Sequence, residues 1–267
     1  MGFSMKKTTW IVQASKGATS PTLTALKNAC AACDAPLVEV RVIPFLEEMP
    51  DVPPEVEWPF FIYGFTTLIL SALRSDRWRK GVFFDPALFT PTAYHQYYGD
   101  RMLNDGMTVA TPSEIEAWGW AAERKLFIRP NDDLKRLAGQ VMTYAEFCSW
   151  FDGFRDATDT EIQADTPLIV APYRQITAEW RLFLLEGRVI GSSQYQPEAA
   201  PFTPPEVFAY AEAAAAEWSP APAFVMDIAS SEGALKIIEL NCINGSGFYQ
   251  ANVGNIVREI SRYQEIR

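Results

Sequence analysis

Histidine is nearly missing from this chain: of 267 residues only His95 carries an imidazole. Cysteine is scarce as well, with Cys30, Cys33, Cys148 and Cys242. Cys30 and Cys33 form a CxxC, but a zinc site would need a second Cys or His pair, and the chain does not supply one. The CxxC also falls near the end of a helical pattern, whereas a redox CxxC sits at the start of a helix, so it reads as structural. Positive charge is in deficit: 23 Lys and Arg against 33 Asp and Glu give a net charge of −10 and a pI of about 4.7. That balance repels a phosphate backbone and disfavours nucleic acid as a partner. Long apolar runs are lacking. The most apolar stretch, WPFFIYGFTTLILSAL, has 16 residues with Gly and Thr inside, too short and interrupted for a membrane span. MGFSMKKTTW has no long apolar region behind its lysines, so it does not read as a signal peptide. The expectation is a soluble, cytoplasmic protein with no membrane partner. No internal repeat is visible.

Hydrophobic mass is plentiful, at 48% of the chain with 13% aromatic, which supplies a packed core and argues against disorder. In the first third, extended runs alternate with helical periodicity. TTWIVQ is a strand, and Ser20 to Cys33 is a helix with Ser20 as N-cap and Pro21 in the first turn. PLVEVRVIPF alternates at Val38, Val40 and Val42; FFIYG is a strand, TTLILSALRSDRW a helix and VFFDP a further extended piece. This order predicts a small open α/β unit with a largely parallel sheet. Residues 91–120 are a transition with a short helix at TPSEIEAWGWA, and the domain boundary is placed near 95. The remainder reads as strand (KLFIRP), polar loop (NDDLKRLAGQ), helix (TYAEFCSWFDGF), strand (PLIVAPY), a hairpin turning at Glu186-Gly187, helix (PPEVFAYAEAAAAEW) and two strands.

Four features follow one another in this second part. An apolar strand ends in Arg129-Pro130 and leads to a loop with Lys135 and Gly139. PLIVAPY bends into Glu179-Trp180-Arg181. The hairpin comes next. In FVMDIASSEGALKIIELNCINGSGFY, Asp227 ends one apolar run, a short turn SSEG follows, and a second run ends in Glu239-Leu240-Asn241. Glu239 and Asn241 are two apart and share a strand face, and pairing of the two runs brings Asp227 beside them. Such oxygen ligands suit Mg²⁺, which commonly carries nucleotide phosphates. Solvated turn residues and surface ion pairs are the plainer readings of these charges. An arginine in mid-strand between Trp and Leu resists that reading, because a buried charge needs a partner.

In order and spacing these features resemble the ATP-grasp superfamily, and within it the clade named for two arginines and one lysine. The resemblance implies an α/β (α+β) ATP-grasp fold: two α+β subdomains gripping a nucleotide over residues 96–267, preceded by a small open α/β domain over residues 1–95. It also implies roles. Arg129 stands where many relatives have a lysine on the α- and β-phosphates, and Lys135 lies on the loop over the nucleotide. Val170, Ala171, Pro172 and Tyr173 form the hinge at the adenine edge. Glu179 is near the ribose, and Arg181 is at the γ-phosphate and the developing acyl phosphate. Asp227, Glu239 and Asn241 are the metal ligands. The implied activity is a ligase using ATP and Mg²⁺, with Arg181 and Lys135 catalytic. It activates a carboxylate as an acyl phosphate and joins it to an amine, on amino-acid or peptide substrates. A small-molecule kinase and a non-catalytic nucleotide-binding domain are the alternatives. Asn244-Gly245-Ser246-Gly247 reads as either a ligand-approaching loop or a plain turn. Tyr98 and Asn104 read as either cleft or core residues.

Overall fold

The computed structural model describes residues 6–14, 20–43, 47–131, 138–157, 159–160 and 162–267. Strand β1 (Thr9–Gln13) is followed by helix α1 (Pro21–Ala32), which starts where the Ser20 side chain accepts the Leu23 N–H at 3.1 Å. Leu23, Leu26, Ala29 and Cys30 form its buried stripe. Burial pushes the Cys30 thiol up to about 12, and the neighbouring Cys33 adds to the shift. Strands β2 (Leu37–Val40) and β3 (Phe60–Tyr63) both pair in parallel with β1, giving the order β2-β1-β3. The central position of β1 accounts for its unbroken Trp10-Ile11-Val12 run, which is buried throughout. Helix α2 (Thr66–Leu73) stops short of the helix predicted to Trp78.

VFFDP does not become a strand. The Phe83 N–H that a ladder would use donates to the Asn244 side chain at 2.7 Å. Asn244 is fully buried, and its amide also donates to the carbonyls of Ile62 (2.6 Å) and Gly81 (3.0 Å), while its own backbone carbonyl accepts the Gly64 N–H. Of the two readings of the Asn-Gly-Ser-Gly stretch, Asn244 therefore takes a structural one. Gly245 packs so closely that an added Cβ would lie 2.9 Å from the Gly64 carbonyl oxygen.

The middle of the chain holds helix α3 (Pro91–Tyr98), strand β4 (Thr108–Ala110), helix α4 (Pro112–Glu116), strands β5 (Lys125–Pro130) and β6 (Gln140–Thr143), helix α5 (Tyr144–Asp152) and strand β7 (Leu168–Pro172). Thr111 with Glu114, and Thr143 with Glu146, form capping boxes at α4 and α5. The accepted N–H bonds hold both glutamates below the usual carboxylate range. The antiparallel sheet has the order β4-β7-β5-β6. Strands β4 and β6, and helix α3, were not expected from the sequence. Tyr98 and Asn104 are buried, at 2% and 6% exposure, so the core reading holds for both.

Strands β8 (Ile176–Leu185) and β9 (Arg188–Gln196), helix α6 (Pro205–Glu217), strands β10 (Ala223–Ser231) and β11 (Ala234–Asn241), and helix α7 (Val253–Ile266) complete the chain. The sheet order is β11-β10-β8-β9. Both hairpin turns, Glu186-Gly187 and Glu232-Gly233, have positive φ at both central residues, the twist that suits a two-residue hairpin. Helix α7, also unforeseen, sits tight on β9: a Cβ on Gly191 would lie 2.7 Å from Ile256. Among the described residues no helix is long and apolar enough to cross a membrane.

Two compact units result. One comprises Met1–Asp85, Ala178–Ile228 and Asn241–Arg267; the other comprises Pro86–Thr177 and Ala229–Leu240. The first has a core in which Trp10, Phe61 and Phe83 join Phe183, Val225, Phe248 and Ile256. The second is packed around Leu126, Ile128, Tyr144, Phe147, Phe151 and Leu168.

Asn244→Ala should destabilise the protein by about 3 kcal/mol or more, since it removes three buried hydrogen bonds and strands the backbone groups that made them. Urea unfolding measures it; a midpoint equal to that of the wild type refutes the structural role.

Candidate functional site

In the first unit, β8 carries Glu179 and Arg181 toward the part of β10 that holds Asp227. Arg181 grips Asp227 at two points, Nε to Oδ1 at 2.8 Å and Nη2 to Oδ2 at 2.7 Å. Asp227 is 1% exposed and Arg181 8%. The last residue of β11, Asn241, donates from Nδ2 to Asp227 Oδ2 at 3.0 Å. The remaining arm of the guanidinium, Nη1, reaches the Gly247 carbonyl at 3.4 Å. Two aromatic rings close over this ion pair. Tyr249 lies 5.1 Å and Tyr195 5.9 Å from the guanidinium carbon, and the two rings stack on each other at 5.0 Å. Tyr249 has φ 48°, a left-handed backbone uncommon for a bulky residue.

The placement of Tyr195 depends on a β-bulge. Trp180 pairs with Gln194 and Glu179 with Gln196, so Tyr195 is the extra residue, re-aimed at the charged cluster. Its hydroxyl bonds Glu179, itself 8% exposed. Burial first, then the Asp227 charge and the Glu179 bond, push the Tyr195 hydroxyl far above the usual phenol range, while Arg181 opposes the shift. Tyr63 is likewise raised by burial, and its hydroxyl donates to the Ser246 carbonyl at 2.7 Å.

In the second unit, Arg129 sits on β5 with its side chain 12% exposed and is ion-paired with Glu239. Val170 and Ala171 are buried on β7, followed by the more exposed Pro172 and Tyr173. Strand β4 pairs only as far as Val170, opposite Thr108, so Ala171 and Pro172 run on beyond its pairing. Gly139 lies against β5, where a Cβ would meet the Phe127 ring at 2.6 Å. Lys135 lies outside the described residues.

The structure thus brings Glu179, Arg181, Asp227 and Asn241 together in one unit, and Arg129 with Glu239 in the other. Among the described residues, no group of three or more His, Cys, Asp and Glu forms a cluster able to hold a metal ion. Asp227 and Asn241 are nonetheless hard oxygen donors of the kind Mg²⁺ takes, and Asp227 accepts three N–H bonds where a carboxylate has about four acceptor sites. Tyr195 and Tyr249 were not foreseen. The hairpin turn was a usable signal for the β8–β9 register, but the bulge that selects Tyr195 has no sequence mark.

Residues 68–260 match the model of an ATP-grasp domain family, family 3 of the clade named for two arginines and one lysine. The chain belongs to this family. Solved structures share its ATP-grasp fold. The RimK domain ATP-grasp protein from Sphaerobacter thermophilus DSM 20745 is 12% identical over 95% of this chain and 99% of its own, with a TM-score of 0.62. The ATP-grasp ligase PsnB, complexed with a minimal precursor, is 13% identical over 97% and 100%, with a TM-score of 0.59. D-alanine–D-alanine ligase from Bacillus anthracis is 10% identical over 97% and 98%, with a TM-score of 0.55. At these identities the likeness is one of fold. No curated protein matches the sequence.

Removing one member of the buried pair leaves the other charge uncompensated. Arg181→Ala and Asp227→Ala should each cost about 3–5 kcal/mol, and the double variant much less than their sum. A double-mutant cycle by denaturant unfolding reads the coupling; additive losses refute it.

Between the ordinary phenol value and the raised value of Tyr195, the folded state binds more protons than the unfolded, so stability contributed there falls as pH rises. Tyr195→Phe should leave the native absorbance titration at a wavelength of ~295 nm, where tyrosinate absorbs, unchanged while removing one tyrosinate from the step that accompanies alkaline unfolding. Loss of a native titration phase in the variant instead would show that Tyr195 ionises in the fold.

Proposed function

We propose that this chain is an ATP- and Mg²⁺-dependent ligase that activates a carboxylate as an acyl phosphate and joins it to an amine, with amino acids or peptides as substrates. The observation that carries this reading is Arg181: a guanidinium held at the floor of a polar cluster, with a carboxylate, an amide and two aromatic rings around it, in a chain of an ATP-grasp family. Phosphoryl transfer asks of a protein mainly positioning and charge neutralisation, and a guanidinium meets two phosphate oxygens at once. It needs no histidine or cysteine nucleophile, which suits a chain with one histidine.

In this reading the catalytic domain is residues 96–267, with 1–95 as the preceding α/β domain; the family match itself begins at residue 68. Arg129 and Lys135 take the phosphates of ATP. The open run after Val170, through Ala171, Pro172 and Tyr173, offers backbone groups to the adenine edge. Glu179 serves the ribose. Arg181 turns to the transferring phosphoryl group. Asp227, Glu239 and Asn241 would hold the metal, which would neutralise charge on the phosphates. The substrate carboxylate attacks the γ-phosphorus and ADP leaves. The amine then attacks the acyl carbon and inorganic phosphate leaves. Among solved structures of the same fold, PsnB is complexed with Mg and ADP, and D-alanine–D-alanine ligase with ATP; each is a property of that protein that supports the reading here.

Thermal unfolding with Mg²⁺ and a non-hydrolysable ATP analogue tests the nucleotide site. A ligand at about a hundred times its dissociation constant should stabilise the fold by about 2.7 kcal/mol. The rise should need metal and shrink in Arg181→Lys, which keeps the charge but loses the two-point grip. No rise at millimolar analogue refutes the nucleotide reading, and ADP formation without an amine requirement would replace the ligase by a kinase.

A further inference from the structure

Within the first unit a cavity of about 310 Å³ opens beside the Arg181 cluster. It lies at the C-terminal ends of the parallel strands β1 and β3, marked by Gln13 and Tyr63, and extends to the first turn of α1 at Thr22 and to Gly245 and Gly247. The carboxyl ends of parallel strands are where open α/β sheets seat small ligands. The volume is at the lower limit for ligand pockets, suited to a group the size of one amino acid.

Three observations define what would fill it. First, no charged side chain is among its described lining residues, and burying an unpaired ammonium or carboxylate there would be costly. Second, the polar group it offers has a fixed orientation. The Phe65 backbone N–H can only donate and does so to Gln13 Oε1 at 2.9 Å, which leaves the Gln13 amide nitrogen as the donor. Third, Phe65 is 73% exposed at its wall, an unusual place for a large apolar ring. Gly247 joins this cavity to the charged cluster. Its carbonyl faces Arg181 Nη1 at 3.4 Å, and a Cβ built on it meets no atom within 4 Å. Gly245, by contrast, is a packing glycine, pressed against the Gly64 carbonyl.

We propose that this cavity seats the uncharged side chain of an amino-acid substrate, placing the reacting end of that substrate toward Arg181. The proposal rests on the ligase reading for its chemistry and on the cavity for its selectivity.

The test is thermal unfolding of the full chain with leucine, phenylalanine, glutamate or lysine at millimolar concentration, each with and without Mg²⁺ and a non-hydrolysable ATP analogue. Leucine or phenylalanine should raise the midpoint, and glutamate and lysine should not. Gly247→Val, which adds bulk where the wild type has open space, should weaken the apparent affinity for the responding amino acid by about tenfold or more. Phe65→Ala should weaken it as well, and it provides a second reading if the valine variant does not fold. The proposal is overturned if none of the four amino acids acts under either condition, if the charged pair acts as strongly as the apolar pair, or if the folded variants respond as the wild type does. A response to leucine in a protein that ignores the ATP analogue would keep the pocket and refute the ligase reading. A response to the analogue alone would do the reverse.

Discussion

The buried pairing of Arg181 with Asp227 is the constraint around which the first unit is organised. Two opposite charges at 10% and 1% side-chain exposure lose most of their hydration, and the loss is tolerable only when every remaining lone pair and N–H finds a partner. The partners come from distant stretches of chain: Asn241 from β11, the Gly247 carbonyl from the loop beyond it, Tyr249 and Tyr195 as rings over the guanidinium. Replacing such a pair by apolar residues is often neutral or stabilising in proteins, so its presence is weak evidence of a stabilising purpose. A buried arginine with aromatic cover is better understood as a cation stored in place for an anion.

The surroundings hold this pair through close backbone approaches. Asn244 acts as a bracket, supplying three hydrogen bonds that tie the loop after β11 to β3 and to the 81–83 segment. Gly245 permits the same loop to touch Gly64, and Gly191 permits α7 to lie on β9. Because the core of this unit mixes Phe61 and Phe83 with Phe183 and Phe248, the first 85 residues and the β8–β9 hairpin share one hydrophobic interior. The loop bearing Gly247 is therefore set from both ends, by the sheet that follows the chain start and by the strand that carries Arg181.

Much of this was legible from local pattern. Ser20-Pro21 marks a helix start, Glu186-Gly187 marks a hairpin, and the position of Arg181 in an apolar strand marks a charge in need of a partner. The family resemblance, carried by Arg-Pro, Glu-x-Arg and Asp…Glu-x-Asn in sequence order, agreed with the family and fold that the comparisons show. What stayed hidden depends on long-range registration. VFFDP has the composition of a strand, yet Asn244, 161 residues away, takes its backbone N–H. Strands β4 and β6 are three and four residues long and mostly exposed, so they lack the apolar alternation that would reveal them. Tyr195 reaches the site through a bulge, and a one-residue insertion in pairing leaves no trace in composition. Helix α7 alternates apolar and charged residues strongly enough to be read, but its first turn has no acidic residue and no proline to mark where it begins.

Under the proposed function, the same ion pair sets the terms of binding. While Arg181 grips Asp227 at both oxygens, the carboxylate has little left for a cation and the guanidinium little left for a phosphate. A phosphate that draws Arg181 away exposes Asp227, and a cation that takes Asp227 releases Arg181. Each ligand removes the competitor of the other, so their bindings are coupled, and coupling in binding free energy is reciprocal. Either ligand alone must break a buried pair and leave one charge unmatched, which lowers its apparent affinity by the population of the open form. Both together replace one matched pair of charges with two. A site built this way favours the metal–nucleotide complex over its separate parts without any contact specific to the complex.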